Sequence, residues 1–360
     1  MRVLFCGGGT AGHVNPALAV AQTILRNSSE SKVAYVTTLN GIENRLVDFK
    51  KYTIDVIGFK RGISLKNFEF LYKQFKAVEV CKKIIKEFHP DLIFGTGGYA
   101  TYPVIKAGKK MGIKTVLHES NAIPGRAIKS LEGIADKILV NFESSVDYFK
   151  HKDKVICTGN PIRNIIEFDK IAAKKLLSVK QKTVILCTSG SLGADRINRA
   201  ASEIIDNIVK DNKDILFVWA TGRNEYNSCI EMLRKKYSKP LENVILKDYF
   251  ENLPLYMAMS DIVISRAGAM TISELAYLGK ASILIPSPNV ANNHQLKNAE
   301  VLERNNAAEM ITEDRLYTLV DTVKELMTND RKRTNLEKSI LRYAKKNANR
   351  KIYSIIEGMI

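Results

Sequence analysis

Val3-Leu4-Phe5-Cys6-Gly7-Gly8-Gly9-Thr10-Ala11-Gly12-His13-Val14-Asn15-Pro16 reads as a short apolar strand, a glycine cluster and the approach to a helix over 16–26. Strand, tight glycine turn and helix, in that order, open a doubly wound α/β domain, because glycines let the backbone turn sharply and come close to a ligand. Residues 7–12 formally satisfy G-x-G-x-x-G. A dinucleotide site also needs an acid at the end of the second strand to hold a ribose. That strand ends Tyr35-Val36-Thr37-Thr38, with no carboxylate until Glu43, which argues against a nicotinamide cofactor.

The same alternation continues outward. Strands are predicted at 3–6, 33–37, 91–94, 115–118, 137–140 and 154–157, with a long helix over 68–88. A second set falls at 183–188, 215–219, 243–246, 261–264 and 281–285. Runs this apolar are buried on both faces, as in parallel sheets covered by helices. Two doubly wound domains follow, and 360 residues suffice for them at roughly 150 residues each. Gly159-Asn160-Pro161-Ile162-Arg163 marks the seam, since its Gly, Asn and Pro punctuate the chain after a strand. From residue 331 the chain is helical and basic, too short for a domain of its own, and is expected to pack back on the others.

Lys and Arg outnumber Asp and Glu by 55 to 38, a net charge of +17. Residues 1–163 hold 25 basic and 14 acidic side chains, the larger share of that excess. Such a surface suits an anionic partner: nucleic acid, an acidic membrane or a phosphorylated substrate. A single Trp and no basic–aromatic repeat count against nucleic acid. No apolar run reaches the roughly 18 residues that cross a bilayer, and the glycine-rich start is not a signal peptide. Cys6, Cys81, Cys157, Cys187 and Cys229 are scattered with no C-x-x-C, which predicts a cytosolic chain with reduced thiols and no zinc site.

Three further glycine clusters follow predicted strands and precede helices: Gly95-Thr96-Gly97-Gly98-Tyr99, Ser189-Gly190-Ser191-Leu192-Gly193-Ala194 and Ser265-Arg266-Ala267-Gly268-Ala269-Met270-Thr271. Each alone is a tight turn. Four across two domains point to helix N-termini that hold phosphate oxygens, as a nucleotide diphosphate and a second anionic substrate require. His13 stands at the carboxyl ends of the strands, where it is either a backbone-bonded helix-start residue or a general base. Glu274 is either a first-turn acid complementing the helix dipole or a carboxylate for ribose hydroxyls. The stretch 286–295, ending in Asn292-Asn293-His294-Gln295, carries amides that suit a sugar's hydroxyls. No D-x-D pair ends a strand, so a metal-chelated diphosphate is not expected.

Taken in order, the first loop with His13, Gly97-Gly98-Tyr99, His118-Glu119-Ser120-Asn121, Gly159 through Arg163, the two later loops and Asn293-His294-Gln295 resemble the MurG family of peptidoglycan glycosyltransferases, in glycosyltransferase family 28, nearly end to end. The resemblance implies the GT-B fold, α/β with two doubly wound Rossmann-like parallel-sheet domains facing across a cleft. An acceptor-binding, membrane-associating domain would span 1–160, a UDP-sugar domain 161–335, and a tail over 336–360 would pack across the first. Implied is an inverting transfer of N-acetylglucosamine from UDP-N-acetylglucosamine to the C4 hydroxyl of the muramyl-pentapeptide on lipid I, giving lipid II. It would take place at the cytoplasmic face of the cell membrane, in a peripheral protein with no cofactor and no metal.

By motif position, His13, Glu119 and Tyr99 are the catalytic candidates. Thr10, Ala11, Gly12 and Asn121 would lie near the transferred sugar, and Arg163 and Ser191 near the nucleotide. Phe250 would read uracil through its backbone, Ala269, Met270, Thr271, Ile272, Ser273 and Glu274 would hold diphosphate and ribose, and Gln295 the sugar. The chain departs from the family at Ala11, usually glycine, Leu192, usually glutamine, and Asn292, commonly aspartate. The segment 59–88 mixes Lys60, Arg61, Lys66, Lys73, Lys76, Lys82, Lys83 and Lys86 with Phe68, Phe70, Leu71, Tyr72 and Phe75. It is either a core helix with a solvated basic side or a patch that meets an anionic phospholipid surface. The nearest alternatives on this architecture are a UDP-N-acetylglucosamine 2-epimerase and a diacylglycerol glycosyltransferase.

Overall fold

The computed structural model describes residues 1–57, 65–163, 169–190 and 192–360, with side chains for all of these except 65–71 and 291. The chain forms two compact units, Met1–Asn164 joined by Lys345–Ile360, and Ile165–Ala344. Each is built on its own parallel sheet.

The first sheet takes β1 (Arg2–Cys6), β2 (Lys32–Thr38), β3 (Lys51–Ile54), β4 (Leu92–Gly95), β5 (Lys114–Glu119), β6 (Lys137–Val140) and β7 (Val155–Cys157) in the order β3-β2-β1-β4-β5-β6-β7. All its pairs are parallel. Val3, Leu4, Phe5, Leu92, Ile93 and Phe94 are fully buried, the consequence of helices on both faces. The second sheet takes β8 (Thr183–Thr188), β9 (Ile215–Ala220), β10 (Val244–Lys247), β11 (Ile262–Ser265), β12 (Ser282–Leu284) and β13 (Glu309–Met310) in the order β10-β9-β8-β11-β12-β13. Its core centres on Ile185, Phe217, Trp219, Ile264 and Ile283.

In each sheet the first strand is flanked by neighbours whose connections run in opposite directions, β1 between β2 and β4, and β8 between β9 and β11. Such a switch point leaves a crevice at the carboxyl ends of the strands, where ligands of open α/β sheets bind. The glycine loops after β1, β4, β8 and β11 therefore converge in pairs, one pair in each unit.

The expected strands are present, with ends moved by one or two residues. β3 and β13 escape the sequence reading because both lie at sheet edges. Lys51-Tyr52-Thr53-Ile54 exposes Lys51 and Thr53 and buries only Ile54, and β13 has two residues. The first helix, Ala11–Asn27, begins five residues before Pro16, which lies inside it. Pro16 lacks the N–H that Gly12 would otherwise receive, and the helix reaches back to the glycine loop regardless.

Helix Ala348–Glu357 completes the first unit. Ile352 and Ile356 are fully buried with Val3, Phe5, Val14 and Leu18, and Asn349 donates to Thr23 Oγ1 at 3.0 Å. Asp330–Ile340, although part of the basic run, belongs to the second unit. Truncating Ile352 or Ile356 to Ala is expected to cost about 2–5 kcal/mol each, the range for an emptied aliphatic site. Denaturant unfolding followed by circular dichroism measures the loss. Trp219 fluorescence, the sole tryptophan signal, reports the second unit separately.

Candidate active site

The loops after β1 and β4 meet backbone to backbone. Gly8 N donates to Gly97 O at 3.3 Å, and a Cβ at Gly98, which has φ +78°, would fall inside van der Waals contact of Gly8 O. Glycine at 98 is thus required by conformation and by space together. The ring of Tyr99 lies over Gly9, where a Cβ would be 3.1 Å from Cε1.

His13, in the first turn of helix Ala11–Asn27, is fixed by this contact. Its Nδ1 is 3.0 Å from Gly8 O and 3.2 Å from Thr10 Oγ1, and its own carbonyl accepts from Thr96 Oγ1 at 2.6 Å. Since a carbonyl only accepts, Nδ1 carries the proton and the lone pair lies on Nε2. A side chain at Gly97 would stand 3.3 Å from Nε2. Thr10 and Gly12 are exposed and Ala11 half-buried, and no side chain caps this helix N-terminus.

At the end of β5, His118 and Glu119 divide their work. His118 is fully buried, stacked on Phe94, with Nε2 3.3 Å from Gly159 O. Burial pushes its imidazole down to about 4, so it stays neutral. Glu119 accepts from Asn121 N and Asn121 Nδ2, both 2.9 Å, and from Gly125 N at 2.7 Å. Burial raises its carboxyl and those donors oppose the rise. Its oxygens organise the turn that carries Asn121. Ser145 Oγ braces the same turn by donating to Ala122 O at 2.9 Å.

In the second unit, the loops after β8 and β9 approach as closely. Gly222, at φ +83°, has no room for a Cβ against Gly193 N. Ser189 Oγ donates to Asn198 Oδ1 at 2.8 Å, Trp219 Nε1 donates to the same oxygen at 3.0 Å, and Asn198 Nδ2 donates to Thr221 O at 2.9 Å. This buried network ties both loops to helix Asp195–Ile204. The side chain of Phe250, three residues past β10, is buried with its ring 4.2 Å from that of Tyr256.

Helix Ala269–Leu278 starts at Gly268 with no side-chain cap and no acid in its first turn. Glu274 is half-buried and makes no hydrogen bond among the described residues, and burial pushes its carboxyl up to about 7. Gln295 Oε1 accepts from Ser287 N at 2.9 Å, which leaves its amide N–H groups for a ligand. Asn292 and Asn293, both at φ above +50°, shape the turn before it. Arg266 is committed elsewhere: it pairs with Glu313 at 2.6 Å and donates to Ile285 O at 3.3 Å.

The structure thus gathers Thr10, Ala11, Gly12, His13 and Tyr99 at one switch point, with Glu119 and Asn121 two strands away. In the second unit Phe250 follows β10, Ala269 through Glu274 follow β11 and Gln295 follows β12, each past the carboxyl end of its strand. Arg163 follows β7, half-buried. Ser191 lies outside the described residues. Sequence reading missed Glu43, Thr96 and Asn198, which hold the loops from beneath. Only Glu43 left a trace, as an acid placed slightly too late for a ribose.

A model of the glycosyltransferase family 28 N-terminal domain matches residues 3–140, and one of the C-terminal domain of that family matches residues 184–354. The chain belongs to glycosyltransferase family 28. It is an α/β glycosyltransferase whose relatives span it completely. A protein of Thermoanaerobacter sp. (strain X514), named UDP-N-acetylglucosamine–N-acetylmuramyl-(pentapeptide) pyrophosphoryl-undecaprenol N-acetylglucosamine transferase, is 38% identical over all of both chains. A Bacillus cereus protein of the same name, numbered 1, is 37% identical, again over all of both. The crystal structure of Acinetobacter baumannii MurG aligns over 99% of both chains with a TM-score of 0.77 and 25% identity. The Neisseria meningitidis UDP-GlcNAc 2-epimerase shares the fold, with a TM-score of 0.66 at 16% identity over 99% of this chain and all of that one. Among the described residues of this family 28 chain, no group of His, Cys, Asp and Glu is arranged to hold a metal ion. No described helix is long and apolar enough to cross a membrane.

Proposed function

We propose that this glycosyltransferase moves N-acetylglucosamine from UDP-N-acetylglucosamine to the C4 hydroxyl of the muramyl-pentapeptide of lipid I, with inversion, forming lipid II. The observation that carries the reading is Glu274: a carboxyl without a protein partner, one turn into a helix whose N-terminus is uncapped and free of acids. That is the pairing a nucleoside diphosphate needs, hydroxyls on the carboxylate and phosphates on the N–H groups. The names of the full-length relatives supply the sugar and the acceptor. In this reading the second unit is the donor domain and the first the acceptor domain, and of the expected tail 336–360 the part that packs on the acceptor domain is Lys345–Ile360.

In this reaction the acceptor oxygen bonds to the anomeric carbon as its bond to the β-phosphate oxygen breaks. Positive charge develops on the sugar ring and negative charge on UDP. The N–H groups of Ala269, Met270 and Thr271, with Arg163 and Ser191, meet the departing diphosphate, the role of preorganised donors at an anionic leaving group. The run continues through Ile272 and Ser273 to Glu274, which takes the ribose. The backbone of Phe250 reads the uracil, and the amide of Gln295 donates to the sugar. The lone pair on His13 Nε2 takes the acceptor proton. Glu119 acts by fixing Asn121 beside the sugar, with Thr10, Ala11 and Gly12 on the other side and Tyr99 above the loop.

Helix Leu65–Phe88 is where this unit meets an anionic phospholipid surface at the cytoplasmic face of the cell membrane. Tyr72 and Phe75 are 65% and 70% exposed, unusual for large aromatic side chains on a helix, and Lys76 beside them is exposed too. Lys73 pairs with Asp55 at 3.1 Å, so it adds less free charge than its sequence position promised. The side chains of Lys66, Phe68, Phe70 and Leu71, and all of Phe59, Lys60 and Arg61, lie outside those described.

His13→Ala is expected to lower kcat by about 10²–10⁴-fold, the usual weight of a positioned base, with donor affinity unchanged in calorimetry. Glu119→Gln should weaken activity yet keep the wild-type pH–rate profile, since the amide accepts on one oxygen only and loosens Asn121 without removing a base. A near-normal His13→Ala turnover ends the assignment, and free UDP-N-acetylmannosamine formed without acceptor would favour the epimerase instead. Glu274 gives a pH test. Its carboxyl titrates near 7, the hydroxyls donate to the ionised form, and the diphosphate diester of a UDP-sugar does not titrate there. Affinity for UDP-N-acetylglucosamine should therefore fall about tenfold from pH 8 to pH 6, a dependence that Glu274→Gln abolishes. Replacing Tyr72 and Phe75 together by Ser is expected to weaken sedimentation with phosphatidylglycerol vesicles by about tenfold; unchanged binding would place the lipid contact elsewhere.

A further inference from the structure

Glu43 has no exposure at all, and no step of the transfer uses it. One carboxylate oxygen accepts from Thr38 N at 3.0 Å and from Thr38 Oγ1 at 2.6 Å. The other accepts from Gly9 N at 3.4 Å. Among the described residues no cation pairs with it. A carboxylate sealed from water is costly unless donors surround it, so these three are what hold it in place. They join the last residue of β2 to the glycine loop that follows β1. Gly8 makes room for the junction: its φ is not positive, and a Cβ there would lie 2.8 Å from Glu43 Oε1 and 3.0 Å from Cδ.

In a dinucleotide fold, an acid at the end of the second strand points outward to a ribose. Here the carboxyl turns inward onto the protein's own backbone. It draws the Gly9 amide away from any ligand, and the next residues, Thr10 through His13, leave the loop from that fixed point. The Tyr99 ring closes over Gly9 from the other side. Gly9 is therefore held between a buried acid and an aromatic ring, four residues before His13, the group assigned to the acceptor proton.

We propose that Glu43 is a positioning residue for the acceptor: by anchoring the Gly9 amide it sets how His13, four residues on, is presented to the acceptor hydroxyl of the lipid-linked sugar. This rests on the function proposed above. Gln at 43 keeps the volume but offers one accepting oxygen. Its amide must set an N–H against either Gly9 N or Thr38 N.

The test uses the full chain, with UDP-N-acetylglucosamine and a soluble lipid I analogue. Glu43→Gln is expected to lower kcat/KM for the acceptor by about 10- to 100-fold, while KM and calorimetric affinity for UDP-N-acetylglucosamine stay within twofold of wild type. Gly8→Ala, which pushes on the same carboxyl, should behave alike, and the two together should cost no more than the larger alone, as for groups acting through one contact. Thr38→Val, milder and isosteric, serves if Glu43→Gln does not fold, with an expected loss of a fewfold in the same parameter. An unchanged acceptor kcat/KM overturns the proposal. So does a parallel loss of donor binding, which marks general damage to the fold. Hydrogen–deuterium exchange of residues 7–14 reads the anchor without any acceptor and should quicken in Glu43→Gln. A wild-type protein that cannot glycosylate lipid I counts against the proposed function alone, whereas unchanged exchange in Glu43→Gln counts against Glu43.

Discussion

Backbone must touch backbone at the carboxyl ends of both sheets, and most of the rest follows. Gly98 sits against Gly8 O, and Gly222 against Gly193 N. At neither place is there room for a Cβ, and Gly98 and Gly222 hold conformations that other residues resist. Glycines this close have no side chains of their own to fix them. Their positions come from groups beside them: Thr96 on the carbonyl of His13, Glu43 on Gly9, and Asn198 on Thr221. The switch-point topology brings the loops together. The buried polar groups then decide which N–H and C=O remain outward.

This constraint sorts the carboxylates by what their oxygens already do. Glu43 and Glu119 each accept three protein donors and are sealed from solvent. A proton acceptor or a ribose partner needs oxygens that are not so engaged, which neither offers. Glu274 differs in kind. Half-buried and without a hydrogen bond among the described residues, its carboxyl is pushed up to about 7 by desolvation, and its oxygens remain open to a ligand's hydroxyls. Position in the sequence cannot separate these three cases, because each is an acid shortly after a strand or a glycine loop.

The parallel strands and the glycine junctions were legible because their signals are local. A run such as Thr183-Val184-Ile185-Leu186-Cys187-Thr188 is buried on both faces, and Gly190 just past it marks a turn. The edge strand Lys51–Ile54 was not legible, since a half-exposed four-residue segment has no apolar run to announce it. The start of the first helix was misjudged because Pro16 normally marks a first turn, and here tertiary contact with the glycine loop prevails over that preference. The loop supports were hidden for another reason. Thr96, Asn198 and Glu43 are ordinary polar residues in sequence, and they gain meaning only from partners 83, 23 and 34 residues away.

The cations tell a parallel story about how the diphosphate is met. Arg266 lies in the very loop that precedes helix Ala269–Leu278, and from sequence it is the obvious phosphate ligand. In the structure it is spent on Glu313 and Ile285 O, bracing the loops after β11 and β12 against each other. With that guanidinium engaged, the charge of a leaving UDP in the proposed reaction falls within this unit to the N–H groups at the start of helix Ala269–Leu278. Donors of this kind are fixed before the substrate arrives and need no reorganisation as charge develops. The +17 excess is consequently not a property of the nucleotide pocket. It is carried by lysines over the surface, most heavily in residues 1–163, where helix Leu65–Phe88 places basic side chains beside two exposed aromatic rings.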